Sequence, residues 1–205
     1  MCSNEDGCSP DAMRRAILAG TMSMAVAGIA GPALGQAAAP ASAPPPPTRV
    51  LDDPRATHGP VSFIHNGQPS IGGYLARPRA EGVYPAVLVI AGNRISEEYI
   101  PNTCAALALA GYVGLAPDIF HILPDSARTP QELRAASAAH TDSDVLNDIQ
   151  AGIEYLRAQS FVRQTGIGAL GFCYGGRMAM LLGARSREVD TVVAYHPGPV
   201  TAAEI

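Results

Sequence analysis

The stretch GIGALGFCYGGRMAM, residues 166–180, decides how the chain is read. Its first half, GIGALGF, is a short apolar run of the kind that forms a strand buried on both faces. Gly171, Gly175 and Gly176 then crowd around a lone cysteine, Cys173, before GGRMAMLLGA resumes with good helix formers. A strand that becomes a helix across a G-x-C-x-G turn must fold back sharply. Gly171 and Gly175 remove the Cβ atoms that would collide there, and Gly176 lets the helix approach the sheet. Such a turn lifts the Cys173 side chain above the strand end and sets it at a helix N-terminus, where the partial positive charge favours a thiolate. It also points the backbone N–H of Tyr174 toward any oxygen that becomes negative during an attack. A buried structural cysteine beside glycines is the competing explanation, and the strand-turn-helix setting favours the nucleophile.

Outward from this turn, strands and helices alternate. VSFIHN and GGYLARP flank the turn-rich GQPS and predict an antiparallel hairpin that opens the domain. PAVLVIA, Pro85 to Ala91, predicts a buried strand, followed by a helix over roughly Glu98 to Ala110 that Gly111 closes. YVGLAPD is the next strand, and TPQELRAASAAH a helix with Pro130 in its first turn. SDVLNDIQAGIEYLRAQ puts Val145, Ile149, Ile153 and Leu156 on one helical face, with Ser143 or Asp144 placed to cap it. After the elbow helix, DTVVAYH gives the last strand. This order predicts an α/β fold, a mostly parallel sheet with helices on both faces behind an opening β-hairpin. Chemistry in such sheets takes place at the carboxyl ends of the strands, where Cys173 lies. His58 and His65 belong to the hairpin region, and His121 and His140 to loops or their borders; no spacing matches a metal-ligand set.

The composition sets limits. With 205 residues, 47% of them hydrophobic, the chain holds one globular domain, and a formal charge of −4 offers no basic surface to nucleic acid. No charged residue occurs between Arg15 and Arg49. That gap has the layout of an export signal over residues 1–38: paired Arg14 and Arg15, an uncharged run, then Gly35, Ala37 and Ala39. Arg14-Arg15-Ala16-Ile17-Leu18 is twin-arginine-like, departing from that pattern at Met13 and in the acidic lead of Glu5, Asp6 and Asp11. A stiff Pro/Ala-rich leader over 39–60 follows. The expectation is an exported, periplasmic protein with no spanning helix once the signal is removed. Cys2 and Cys8 would leave with the signal, and Cys104, inside the apolar PNTCAALALAGY, reads as a core residue rather than a partner for Cys173.

Taken together, GYLARP, PAVLVIAGNR, LALAGYVGLAPDIF, DIQAGIEYLRAQ, GIGALGFCYGGRMAM and VVAYHPG make the chain resemble the dienelactone hydrolase family from roughly Val61 to Pro197. This is a branch of the α/β hydrolases with cysteine where relatives use serine. The resemblance implies an α/β-hydrolase-type domain over 61–205 that hydrolyses a small ester or lactone by a Cys-His-Asp triad, with no cofactor. Carried over by position, Cys173 is the nucleophile, Tyr174 gives one oxyanion N–H, and Gly92 and Asn93 supply the other. Arg94, His121 and His196 are possible pocket residues, and Asp118 in APD structures its loop.

The chain departs from the family in two places. Gly92 stands where the resemblance implies a glutamate that helps activate the thiol, and His121 or Ile122 where it implies an arginine that anchors the substrate carboxylate. A small ester or lactone other than the dienelactone is therefore expected. The family's acid and histidine follow the nucleophile, whereas Glu188, Asp190, Glu204 and His196, the residues of those types after Cys173, match neither by order. The domain is expected to be incomplete, lacking its C-terminal strands, as the front part of a longer protein. A non-catalytic protein that keeps the pocket but has lost the triad is the second reading, and a redox-sensing thiol the third. Nothing in the sequence fixes an oligomeric state.

Overall fold

Leu88, Val89 and Ile90 are three consecutive residues without exposed surface, and they mark the middle of the sheet. The computed structural model describes residues 49–64, 70–92, 95, 98–123 and 129–205. The export signal expected over 1–38, the leader up to residue 48, and His65, Asn93 and Arg94 lie outside the described residues. The elements in chain order are β1 (Ala56–Phe63), β2 (Ile71–Pro78), β3 (Tyr84–Ile90), α1 (Tyr99–Leu109), β4 (Val113–Pro117), α2 (Pro130–Ala139), α3 (Asp142–Arg157), β5 (Val162–Phe172), α4 (Tyr174–Arg185) and β6 (Thr191–Tyr195). They build one six-stranded sheet of order β1-β2-β4-β3-β5-β6. β1, β2 and β4 pair antiparallel, while β4, β3, β5 and β6 run parallel. This is the mostly parallel α/β architecture that the strand-helix alternation predicts.

Side-chain alternation along β3 assigns the helices to faces. Leu88 and Ile90 join a core with Ile149, Ile153 and Leu156 of α3 and Met178 and Leu181 of α4. Val89 and the following Ala91 face the other way, against Ile100, Cys104 and Ala108 of α1. The seam between α1 and β4 is tight: a Cβ on Gly114 would stand 3.0 Å from the Cys104 Cα. Both faces of the central strands are thus covered, which is why their sequences are continuously apolar.

Three boundaries differ from the sequence reading. Strand β1 begins at Ala56, where Ala56 pairs with Pro78, so ordered structure starts before the leader boundary expected at 60. The strand accommodates Pro60 because β1 is an edge strand, where a missing backbone N–H costs nothing on the open side. His58 fastens this edge: its Nε2 lies 2.8 Å from the Leu51 carbonyl, an acceptor only, so Nε2 carries the proton and Nδ1 accepts from the Tyr74 hydroxyl. Helix α3 is capped by Thr141, not by Ser143 or Asp144; Asp144 instead completes a capping box as the third helical residue. Strand β5 starts earlier than the GIGALGF run, and its pairing with β3 breaks register between Tyr84 and Ala86, across the exposed residues 163–166.

Candidate active site

β3 leads into α1 on one face of the sheet, and its neighbour β5 leads into α4 on the other. Connections that part to opposite faces open a crevice at the carboxyl ends of the two strands. Gly92, just past β3, and Cys173, just past β5, stand on its two sides.

Cys173 has φ 53° and ψ −115°, a conformation that L side chains rarely adopt and that costs about 1–3 kcal/mol. Backbone hydrogen bonds hold it there: its N–H donates to the Tyr195 carbonyl at 2.9 Å, and its own carbonyl accepts from the Arg177 N–H at 3.1 Å. The three glycines leave no room for side chains. A Cβ on Gly171 would lie 2.1 Å from the Gly175 carbonyl oxygen, one on Gly175 2.1 Å from the Ile90 oxygen, and one on Gly176 3.1 Å from the Tyr195 oxygen. The result is an exposed thiol at the head of α4. Tyr174 is the first residue of that helix, so its N–H has no acceptor within the helix and is free for an external oxygen. Gly92 packs against the same turn: a Cβ there would be 2.6 Å from the Phe172 oxygen, 3.0 Å from the Cys173 Cβ and 3.2 Å from the Tyr174 nitrogen.

Around the thiol is a cleft of about 380 Å³, lined by Gly92, Tyr99, Pro130, Leu133, Arg134, Cys173 and Tyr174. The Tyr174 ring packs against Phe120 at 6.0 Å between centroids. Its hydroxyl is buried with no hydrogen-bond partner among the described residues. Burial, and secondarily the charge of Asp142, raise the pKa of this phenol above the ordinary tyrosine value. Beside the elbow, Phe172 stacks on Tyr195 at 5.4 Å and meets Tyr99 edge-on at 5.7 Å.

Other residues singled out in the sequence are placed elsewhere. His121 does not line the cleft; its Nε2 lies 3.2 Å from Asp148 Oδ2, a half-buried pair beyond β4. His196 follows β6 with φ 46°, exposed and likewise not on the cleft wall. Asp118 is buried and accepts the Phe120 N–H at 3.1 Å, ordering the turn after β4. Cys104 is fully buried, and burial pushes its thiol up to about 12. Both described cysteines are free. Among the described residues, no group of three or more His, Cys, Asp or Glu side chains could hold a metal ion. Arg134, Leu133 and Tyr99 were not foreseen. They come from the segments after β4 and β3, and the only signal for them was that loops at the carboxyl edge of a parallel sheet converge on one crevice.

A lactonase of Bradyrhizobium sp., named for 2-oxo-3-(5-oxofuran-2-ylidene)propanoate, is 35% identical over 138 residues, which are 66% of this chain and 54% of the relative. A Salmonella typhi protein named as a carboxymethylenebutenolidase is 30% identical over 167 residues, 77% of this chain and 60% of its own. The chain thus spans little more than half the length of these curated relatives. A crystal structure of a dienelactone hydrolase from Klebsiella pneumoniae superposes with a TM-score of 0.64 at 26% identity, covering 71% of this chain and 62% of the other. Brefeldin A esterase, at 19% identity and a TM-score of 0.54 over 70% of this chain and 40% of its own, shares the fold. With residues 71–205, from β2 through the elbow to β6, matched by the dienelactone hydrolase family, the chain belongs to that family.

Proposed function

We propose that the chain is a thiol hydrolase acting on a small ester or lactone, with Cys173 as the attacking group. The observation that carries this reading is the strained left-handed backbone of Cys173, held at a helix head and open to the cleft. The Cys173 sulfur, as thiolate, attacks the carbonyl carbon, and the carbonyl electron pair moves onto oxygen, facing the Tyr174 N–H. Collapse of that adduct breaks the C–O bond to the alcohol part. The alkoxide takes up the proton that the thiol gave, and a thioester remains on Cys173. Water then cleaves the thioester, releasing the acid and restoring the thiol. The names of the Bradyrhizobium and Salmonella relatives support lactones as the substrate class.

A second reading has its own observation: among the described residues, neither a histidine nor a carboxylate lines the cleft. On that reading the chain binds a small ester or acid without turning it over. One experiment separates the two. With p-nitrophenyl acetate, the hydrolase reading expects a burst of one p-nitrophenol per chain, an acetyl group on the Cys173 peptide, and loss of both in Cys173→Ala. An equal burst in Cys173→Ala overturns the proposal. Saturable binding of the ester with no acyl-enzyme supports the binding protein.

A further inference from the structure

We propose that His196 is a positioning residue for the elbow: the left-handed turn it makes just after β6 holds the Cys173 backbone, and with it the thiol and the Tyr174 N–H, in place. The consequence for acylation rests on the hydrolase reading above; the coupling of the two turns does not.

Two non-glycine residues among those described have a positive φ, Cys173 at 53° and His196 at 46°. They stand side by side. Phe172 and Tyr195 are the last matched pair of the parallel strands β5 and β6, so both strands leave the sheet at the same rung. One further hydrogen bond crosses there, from the Cys173 N–H to the Tyr195 carbonyl at 2.9 Å. Each strand then departs through a left-handed residue, a conformation uncommon for any side chain and in which histidine is among the more tolerated.

The reversal at His196 brings the chain back against the elbow helix. Gly176 packs on it, its Cβ direction meeting the Tyr195 oxygen at 3.1 Å and the Pro197 Cα at 3.3 Å. Arg177 Nε donates to the Pro199 carbonyl at 3.2 Å, and the Arg177 N–H donates to the Cys173 carbonyl at 3.1 Å. Both main-chain groups of Cys173 are thus tied to residues that flank His196: Tyr195 on one side and, through Arg177, Pro199 on the other. The imidazole is exposed and makes no hydrogen bond or ion pair among the described residues. The backbone of His196, not its ring, therefore carries the effect. Strain of this kind persists only where the surroundings over-determine it, and here it lies one rung from a strained nucleophile.

The first test needs no turnover. Hydrogen exchange of the Cys173 amide, read by NMR in the full chain as a ratio to the Leu88 amide of the central strand, reports on that rung. A loss of global stability moves both amides together and leaves the ratio alone. His196→Val, whose β-branched side chain resists a positive φ, is expected to raise the ratio about tenfold, the low end of the cost of such strain. His196→Ala should give a smaller rise and serves if the valine variant does not fold. His196→Gly and His196→Asn accept the left-handed backbone and should keep the ratio near the parent's. Gly111, with φ 88° and nothing within 4 Å of its Cβ direction, lies in the turn before β4. Gly111→Val imposes the same strain there and should leave the ratio unchanged. With p-nitrophenyl acetate, acylation of Cys173 should slow about tenfold in His196→Val, as thiol and N–H lose their alignment, and recover in His196→Asn. An unmoved ratio in both His196→Val and His196→Ala, or an equal rise in Gly111→Val, overturns the proposal. So does slowed acylation in His196→Asn with the ratio unmoved, because the imidazole would then be the acting group. A burst that survives Cys173→Ala overturns the hydrolase reading and leaves the amide ratio untouched, so the two failures are distinguishable.

Discussion

Any side chain at position 92 would have to share space with the elbow. The Cβ direction of Gly92 runs into the Phe172 carbonyl oxygen at 2.6 Å and reaches the Cys173 Cβ at 3.0 Å. Those atoms are backbone or close to it, and they belong to a turn already held in a strained conformation, so they cannot yield cheaply. The resemblance implies a glutamate here; this loop path makes that substitution a packing problem before it is an electrostatic one. Gly92→Ala is therefore expected to destabilise the chain by about 1–3 kcal/mol in urea denaturation. Gly92→Glu should be no better, and should not speed alkylation of Cys173. Gly72 in β2, whose Cβ would meet nothing within 4 Å, supplies the control, and Gly72→Ala should stay within about 0.5 kcal/mol of the parent. If Gly92→Ala proved as neutral as Gly72→Ala, the close approach of this loop to the elbow would be wrong.

At the scale of the element, α3 shows what local sequence decides and what it leaves open. Its buried face of Val145, Ile149, Ile153 and Leu156 follows from spacing alone, and the structure buries all four. Its start does not follow, because THR-ASP-SER-ASP at 141–144 presents four residues in a row that can cap a helix, and the choice falls to the register that turns Val145 inward. Thr141 takes the role, with its Oγ1 accepting the Asp144 N–H at 3.2 Å and the Thr141 N–H donating to Asp144 Oδ2 at 3.1 Å. Thr141→Ala is expected to cost about 1 kcal/mol by thermal or chemical denaturation. The side-chain hydrogen bond from Thr141, reinforced by its backbone N–H, holds the Asp144 carboxyl below its ordinary value. A carboxylate with a lowered folded-state pKa stabilises at pH values above its unfolded pKa and loses that contribution as the pH falls through the folded one. The gap between parent and Thr141→Ala should therefore be constant near neutrality and narrow as the pH drops below about 4, down to the share of the bond between Thr141 Oγ1 and the Asp144 N–H. A gap that stays constant into acid would mean that Asp144 takes no part in the cap. The site divides in the same way. Cys173, Tyr174 and the glycines could be read because strand, turn and helix are contiguous there. Arg134 and Tyr99 could not, because the path of the segments after β4 and β3 brings them to the thiol.

For the whole molecule, the two edges of the sheet are unequal. β1 is blunted by Pro60, whose missing N–H interrupts any further ladder, and its neighbour β2 is covered by α1. β6 carries neither proline nor charge over Thr191–Tyr195 and pairs only with β5 among the described residues. Val193 is 46% and Tyr195 52% exposed, and Tyr195 continues the aromatic row of Phe172 and Tyr99. An open strand with apolar side chains and unspent backbone groups is a template for another strand, so the chain should self-associate as its concentration rises. Val193→Lys puts a charge on that edge without disturbing the buried core, since the side chain it replaces is exposed. Light scattering across a concentration series is expected to show association falling in Val193→Lys while the circular dichroism spectrum is unchanged. Association as strong as the parent's would locate the contact elsewhere, and an altered spectrum would mean that β6 depends on Val193 for its own pairing with β5.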